Sequence, residues 1–209
     1  DIDFNKLDVI TWSWQKVLGG EASHGMLALS PRAVQRLENH VPSWPIPKLF
    51  RIANKKKLIK GIFEGSTINT PSMICVEDVL DALNWVESIG GSKELMKISN
   101  ENLNIVENWV NKSSWIKFMC EDKNSRSSTS ITLSIKDDWF NKFKEEEQRD
   151  TIKKIVSILK KEGVANDING YAKAPPSLRI WGGATVQNDD MKVLLPWIDW
   201  AYHSVKNNA

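Results

Sequence analysis

From residue 70 onwards, helical and strand-like hydrophobic patterns alternate along the chain. Apolar side chains repeat every three to four positions over residues 70–88 and 92–109, a spacing typical of amphipathic helices. Strand patterns follow at 115–119 and 129–135, the second with alternating β-branched residues. The remaining predicted elements are a charged helix over 138–161, strands near 164–168 and 178–181, and a helix over 189–205. Such alternation predicts an α/β fold.

The first 70 residues are richer in strands and loops. Residues 7–14 form an apolar run typical of a buried strand, and Gln15, Lys16 and a Gly19-Gly20 turn follow it. The other predicted elements are a strand over 25–29, a helix from Pro31 to Asn39, and two strands around a polar turn within 48–63. We therefore predict a domain boundary near residue 88, with residues 1–88 and 89–209 forming separate parts.

The chain opens on the predicted strand at 7–14 without a lead-in, and residue 1 is Asp rather than Met. A domain seldom begins on a core strand, so we expect the chain to be a piece of a longer protein. The acidic N-terminus also lacks the apolar segment of a signal peptide.

The composition argues against several kinds of partner. The 28 basic and 26 acidic residues give a net charge of +2, so we expect no nucleic-acid partner and place the lysines at 55–57 on a solvated hairpin tip. No apolar run approaches the roughly 20 residues of a membrane helix, and we expect no membrane span. Cys75 and Cys120 lack metal-ligand spacing, which predicts reduced cysteines in a cytoplasmic protein without a metal site.

Lys16 is the first candidate for chemistry. A lysine at the end of an apolar strand would be partly desolvated, which favours the neutral amine that attacks carbonyl groups. A plainly solvated lysine is the alternative from the residues alone.

Residues 69–72, Asn-Thr-Pro-Ser, are a second candidate, because a helix predicted to start at Thr70-Pro71 would offer free backbone N–H groups to a phosphate. An ordinary helix cap is the alternative.

Arg179 is a third candidate, since an arginine among apolar neighbours suits bidentate binding of a carboxylate. An internal Asp or Glu could equally be its partner. The chain has no dinucleotide, Walker A, zinc-protease or serine-hydrolase motif.

Three segments in order along the chain carry a family resemblance. They are TWSWQKVLGGE at 11–21 with His24-Gly25-Met26, INTPSM at 68–73, and APP with LRIWGGAT within 174–185. Together they resemble the lysine region, the Asn-Thr-Pro segment and the substrate arginine strand of phosphoserine aminotransferases. The resemblance is greatest to a bacterial and archaeal subgroup.

The resemblance implies the C-terminal part of a fold type I pyridoxal-phosphate-dependent transferase. Residues 1–88 would be the end of the cofactor-binding large domain, with the lysine loop and a linker helix. Residues 89–209 would be the small C-terminal α/β domain. The resemblance also implies a homodimer with active sites at the subunit interface.

The resemblance assigns cofactor roles to four residues. Lys16 would form the Schiff base with pyridoxal 5'-phosphate and move the substrate proton. Gln15 would contact the cofactor phosphate. Asn69 and Thr70 would reach the phosphate of the cofactor bound to the partner subunit.

The substrate roles implied by the resemblance centre on Arg179, which would clamp the α-carboxylate shared by phosphoserine and glutamate. In the subgroup an arginine usually follows the tyrosine of a Gly-Tyr pair, but here Ala172 follows Tyr171 and Lys173 comes next. Lys173 could replace that arginine at the substrate phosphate only as a point charge. His24 is a further secondary candidate for substrate binding.

The implied reaction transfers the amino group between glutamate and 3-phosphohydroxypyruvate in serine biosynthesis, with a related role possible in pyridoxine biosynthesis. The parts that the family places before the lysine strand are missing, so we expect the chain alone not to transaminate. One alternative is another fold type I aminotransferase, of the alanine–glyoxylate or serine–glyoxylate type. Another is a C-terminal interaction module without catalysis.

Overall fold

The computed structural model describes residues 2–22 and 24–208 and divides into two compact units, Asp1–Trp85 and Val86–Ala209. The division falls within helix α2 (Met73–Ser88), three residues before the predicted boundary at 88. The assignment of residues 1–88 and 89–209 to a cofactor domain and a small domain stays a prediction.

The first unit contains two small antiparallel sheets, a nine-residue helix and most of α2. Strand β1 (Val9–Trp12) pairs with β2 (Met26–Leu29), and helix α1 (Pro31–Asn39) follows directly. The hydroxyl of Ser30 accepts the Ala33 N–H and proline occupies the first turn, so the predicted start of α1 is confirmed.

Strand β1 is exposed, and the prediction of a buried strand over 7–14 was wrong. It has four residues, and Val9 and Trp12 are 56% and 47% exposed. The reason is that β1 belongs to a two-stranded sheet, which has too few strands to bury a face.

The two strands predicted within 48–63 are present but are only two residues long each, β3 (Ala53–Asn54) and β4 (Lys57–Leu58). Lys55 and Lys56 form the turn with φ of 46° and 60°, and both are exposed, which confirms the solvated hairpin tip. The flanking segments are short 3-10 helices rather than strands.

The buried side chains of helix α2 are Cys75, Val79 and Val86. The spacing of apolar residues predicts a buried stripe of Met73, Val76, Leu80, Leu83 and Val86. Val86 is buried as predicted, whereas Met73, Leu80 and Leu83 are 66%, 48% and 44% exposed. The helix carries apolar residues on more than one side, so spacing alone could not select the buried face.

The second unit is built on a three-stranded antiparallel sheet in the order β5 (Ile116–Phe118), β6 (Ser130–Ile135) and β7 (Leu178–Trp181). The helices that accompany it are α3 (Ser92–Lys112), α4 (Asp138–Asn141), α5 (Glu145–Lys161) and α6 (Asn188–Asn207). Ile131 pairs with Ile180, and Leu133 pairs with Leu178, so alternate residues of both strands enter the core. These strands and helices α3 and α6 agree with the predicted elements.

Two predictions in this unit were wrong. The helix predicted over 138–161 is interrupted, because the Lys144 backbone N–H is capped by the Glu147 carboxylate where α5 begins. The strand predicted near 164–168 is absent from the described structure, where a single bridge joins Asn169 to Leu178. Gly163, with a φ of +71°, ends α5 and leads into bends rather than extended chain.

Several polar groups inside the second unit are paired across its elements. The Asp199 carboxylate accepts the indole N–H groups of Trp109 and Trp115, each at 2.7 Å. The Tyr202 hydroxyl donates to the Asp137 carboxylate. These bonds connect α6 to α3 and to the residues around β5 and β6.

Candidate functional site

The lysine loop follows β1 and is shaped by its two glycines. The Gly19 N–H donates to the Lys16 carbonyl and the Gly20 N–H to the Trp14 carbonyl, each at 3.0 Å. Gly19 has a φ of +68°, which favours glycine. A Cβ on Gly20 would lie 2.4 Å from Trp14 Cδ1, so only glycine fits without a shift. The diglycine therefore determines how the chain turns after Lys16.

Lys16 and Gln15 are both exposed. The expectation that Lys16 is partly desolvated is not met. The strand that precedes it belongs to a two-stranded sheet, which has too few strands to bury a neighbouring side chain. Lys16 has no ion-pair partner within residues 2–22 and 24–208, so its amine is not held by a carboxylate.

His24 joins the lysine loop to the Asn-Thr-Pro-Ser segment. Its Nε2 accepts the backbone N–H of Ser72 at 3.1 Å, across 48 residues of sequence, and its ring meets the edge of Trp14 at 5.3 Å between centroids. An imidazole nitrogen that accepts an amide N–H is unprotonated, so the proton of neutral His24 is on Nδ1. Two segments that the sequence resemblance treated separately are thus in contact.

Asn69 and Thr70 precede helix α2, and the predicted helix start at Thr70-Pro71 was two residues early. The Ser72 carbonyl accepts the Val76 N–H, and α2 begins at Met73. The backbone N–H groups of Asn69 and Thr70 have no hydrogen-bond partner among the described residues. Both residues are exposed, so these donors are open to an anion.

Arg179 lies on β7 in the second unit, with its side chain 15% exposed. One terminal nitrogen donates to Asp167 Oδ2 at 3.2 Å, and the guanidinium lies 4.6 Å from the centre of the Tyr171 ring. The Nε atom is buried and has no partner within the described structure. The Asp167 carboxylate therefore binds one terminal nitrogen of the Arg179 guanidinium, and the buried Nε–H donor stays unpaired among the described residues. A carboxylate ligand could satisfy such a donor.

The loop after Ile168 carries Tyr171 and Lys173. The Gly170 N–H donates to the Ser177 carbonyl and the Ala174 N–H to the Tyr171 carbonyl, each at 2.9 Å. Lys173 is exposed and forms no ion pair within the part of the chain that the structure describes. These bonds close the loop on itself beside Arg179.

Three residues that the structure places around these groups were not predicted from the sequence. They are Trp14, Arg149 and Asp167, and their contacts with His24, the 171–174 loop and Arg179 cross 10 to 25 residues of sequence. No short motif encodes such contacts. The tyrosine of the Gly-Tyr pair was visible as a landmark, but its stacking on Arg179 was not.

Among the described residues, no cluster of three or more His, Cys, Asp and Glu side chains is arranged to hold a metal ion. None of the helices over the same residues combines the length and apolar character that crossing a bilayer requires.

The chain is similar to curated archaeal proteins over nearly its whole length. It is 53% identical over 206 residues to the phosphoserine aminotransferase of Methanosarcina barkeri, covering 99% of this chain and 53% of that protein. It is 52% identical, with the same coverage, to the phosphoserine aminotransferase of Methanosarcina mazei. The chain thus spans about half the length of the curated relatives it matches. No protein-family model matches the chain.

Solved structures share the fold at low sequence identity. A phosphoserine aminotransferase studied for radiation damage of its Schiff base superposes with a TM-score of 0.71 at 19% identity, over 100% of this chain and 50% of that one. The phosphoserine aminotransferase of Bacillus circulans subsp. alkalophilus has a TM-score of 0.69 at 16% identity, over 97% and 49% of the two chains.

These comparisons confirm two predictions from the sequence. The resemblance to phosphoserine aminotransferases, restricted to a C-terminal portion of them, holds over the whole chain. The fold class, α/β as the C-terminal part of a fold type I transferase, is also confirmed.

Proposed function

We propose that this chain is the C-terminal part of a phosphoserine aminotransferase, which transfers the amino group between glutamate and 3-phosphohydroxypyruvate in serine biosynthesis. The observation that carries the proposal is the 53% identity to such an enzyme over 99% of the chain. The whole enzyme would act in the cytoplasm, and the same transfer chemistry would serve pyridoxine biosynthesis.

The residues of the lysine loop fit pyridoxal 5'-phosphate. When bound, this cofactor supplies an electron sink for bond breaking at the substrate Cα. The Lys16 amine, exposed and free of a carboxylate partner, is suited to bond the cofactor and to carry the proton that leaves the substrate Cα. Gln15, its exposed neighbour, would donate its side-chain amide to the phosphate.

Asn69 and Thr70 fit a phosphate that comes from outside their own unit. Their open backbone N–H groups, next to an amide and a hydroxyl side chain, form a donor set that suits phosphate oxygens. We assign that phosphate to the cofactor of a second subunit, so the working form would be a homodimer with each active site at the subunit interface.

Arg179 is proposed as the anchor of the substrate α-carboxylate. The support is its unpartnered, buried Nε on a side chain that is 15% exposed. Lys173 would attract the substrate phosphate as a point charge. His24 would be a secondary contact. The substrates are small molecules, phosphoserine with 2-oxoglutarate or the reverse pair.

A chimera tests the function. The N-terminal part of the Methanosarcina barkeri relative, which this chain does not cover, is fused to this chain, and glutamate formation from phosphoserine and 2-oxoglutarate is measured. We expect activity that Lys16→Arg abolishes and that Lys60→Arg, at another lysine of the first unit, leaves intact. Activity with alanine or serine but without phosphoserine would instead indicate a glyoxylate-type aminotransferase. A folded, cofactor-free and inactive chimera would indicate an interaction module.

A further inference from the structure

Arg149 lies in the first turns of α5, with its side chain 31% exposed. It pairs with Glu145 one turn earlier, with Nε and one terminal nitrogen at 3.1 and 2.6 Å from the same carboxylate oxygen. An ion pair of this type on a helix surface contributes little by itself. The function of Arg149 is therefore inferred from the other N–H groups of its guanidinium.

Those donors bind the loop that carries Tyr171. Arg149 donates to the Ala172 carbonyl at 3.2 Å and to the Ala174 carbonyl at 2.8 Å, which are 23 and 25 residues further along the chain. The planar guanidinium thus holds two carbonyls two residues apart. An ammonium group lacks this fixed fork, so lysine would not reproduce the arrangement.

The position of Tyr171 depends on this loop. Its side chain is 63% exposed, and its one ring contact in the described structure is the Arg179 guanidinium at 4.6 Å. A side chain so exposed is not held by packing, and its place follows from the backbone that carries it. Arg149 fixes that backbone on the residue that follows Tyr171.

We propose that Arg149 is a positioning residue for Arg179. It locks the 171–174 loop so that Tyr171 covers one face of the Arg179 guanidinium, whose buried Nε has no partner among the described residues. The role of Arg179 as carboxylate anchor rests on the proposed function, whereas the locking of the loop does not. Ala172 contributes through its backbone carbonyl rather than its side chain.

Nuclear magnetic resonance of arginine side chains tests the link between the two arginines. In the full chain labelled with ¹⁵N-arginine, the Arg179 Nε–H signal is assigned by its loss in Arg179→Lys. The variant Tyr171→Leu then shows how the chemical shift of the Arg179 Nε–H signal changes when the aromatic ring is removed. We expect Arg149→Gln to move this signal in the same direction, because the ring leaves the guanidinium.

Lys153→Gln is the matched control. Lys153 lies one turn further along α5 and lines a small cavity together with Arg149 and Tyr171. It is 66% exposed, and within the described residues its ammonium bonds only to Asp150. This variant removes the same charge and should leave the Arg179 signal in place. An unmoved signal in Arg149→Gln, or an equal movement in Lys153→Gln, would overturn the proposal.

Trypsin provides a second readout, since it cleaves after Lys173 within the locked loop. Losing a charged hydrogen bond to the loop should raise the rate of cleavage at this bond about ten-fold in Arg149→Gln. Arg149→Lys should show a smaller rise, because one donor of the pair is kept. Equal rates in the wild-type chain and both variants, with melting temperatures unchanged, would show that Arg149 does not hold the loop.

Titration with 2-oxoglutarate separates this proposal from the proposed function. A saturable shift of the Arg179 Nε–H signal is expected in the wild-type chain, with weaker binding in Arg149→Gln. If the wild-type chain shows no shift, the carboxylate role of Arg179 fails in this chain. The movement of the Arg179 Nε–H signal in Arg149→Gln and the rate of trypsin cleavage after Lys173 still decide whether Arg149 locks the loop.

Discussion

Acid should destabilise the second unit through Asp137. This carboxylate accepts hydrogen bonds from the Tyr202 hydroxyl, the Lys206 ammonium and the Trp139 backbone N–H, and its side chain is 16% exposed. Burial by itself raises the pKa of Asp137, but the bonds from Lys206, Tyr202 and Trp139 outweigh it and lower the pKa to about 2. Protonation therefore costs more in the folded chain than in the unfolded one.

The size of the effect follows from the two pKa values. The ordinary value of 3.8 falls to about 2 on folding, and each unit corresponds to about 1.4 kcal/mol. The ionised Asp137 then contributes about 2 kcal/mol to the free energy of unfolding. Because the folded pKa is the lower one, the contribution is complete above about pH 5 and is lost as the pH falls towards 2, with about half remaining at about pH 3.

Urea unfolding at several values between pH 7 and pH 3 measures this contribution. Asp137→Asn should be less stable than the wild-type chain at pH 7, and the difference should shrink as the pH falls. Asp138→Asn, at the exposed neighbouring carboxylate, should follow the wild-type profile. A constant difference between the wild-type chain and Asp137→Asn over this range would refute the reasoning.

Three further substitutions test the packing. Asp199→Asn should lower the free energy of unfolding by about 1–3 kcal/mol, because an amide N–H then faces one of the two indole donors, and urea unfolding followed by tryptophan fluorescence measures it. Asn102→Asp should cost about 3 kcal/mol or more in the same assay, because a fully buried carboxylate would face the two carbonyls that the amide now binds. Gly20→Ala should cost about 1–3 kcal/mol by displacing Trp14, whereas Gly25→Ala, with open space at its Cβ, should leave the melting temperature unchanged.

Local patterns predicted the elements that local interactions determine. Helix α1 was visible from Ser30 and Pro31, whose capping depends on neighbours three residues away. Strand β6 was visible from its alternation, since residues 131, 133 and 135 point into the core.

The wrong predictions concern burial and interruptions, which depend on distant parts of the chain. An apolar strand such as β1 is read as buried, but burial requires neighbours that a two-stranded sheet lacks. The break between helices α4 and α5 lies where the Glu147 carboxylate caps the Lys144 backbone N–H. The hydrophobic pattern over 138–161 is helical throughout and does not indicate this break. The same limit applies to the site: Lys16 and Arg179 were found as residue types in motifs, but the contact from Ser72 to His24 links residues 48 positions apart.

Borohydride reduction tests the assignment of Lys16 most directly. The chimera with the Methanosarcina barkeri N-terminal part is incubated with pyridoxal 5'-phosphate, reduced, digested and mapped by mass spectrometry. We predict that one lysine of this chain, Lys16, carries the phosphopyridoxyl group, and that Lys16→Arg yields no labelled lysine in this chain. A label on another lysine, or one that persists in Lys16→Arg, would contradict the assignment.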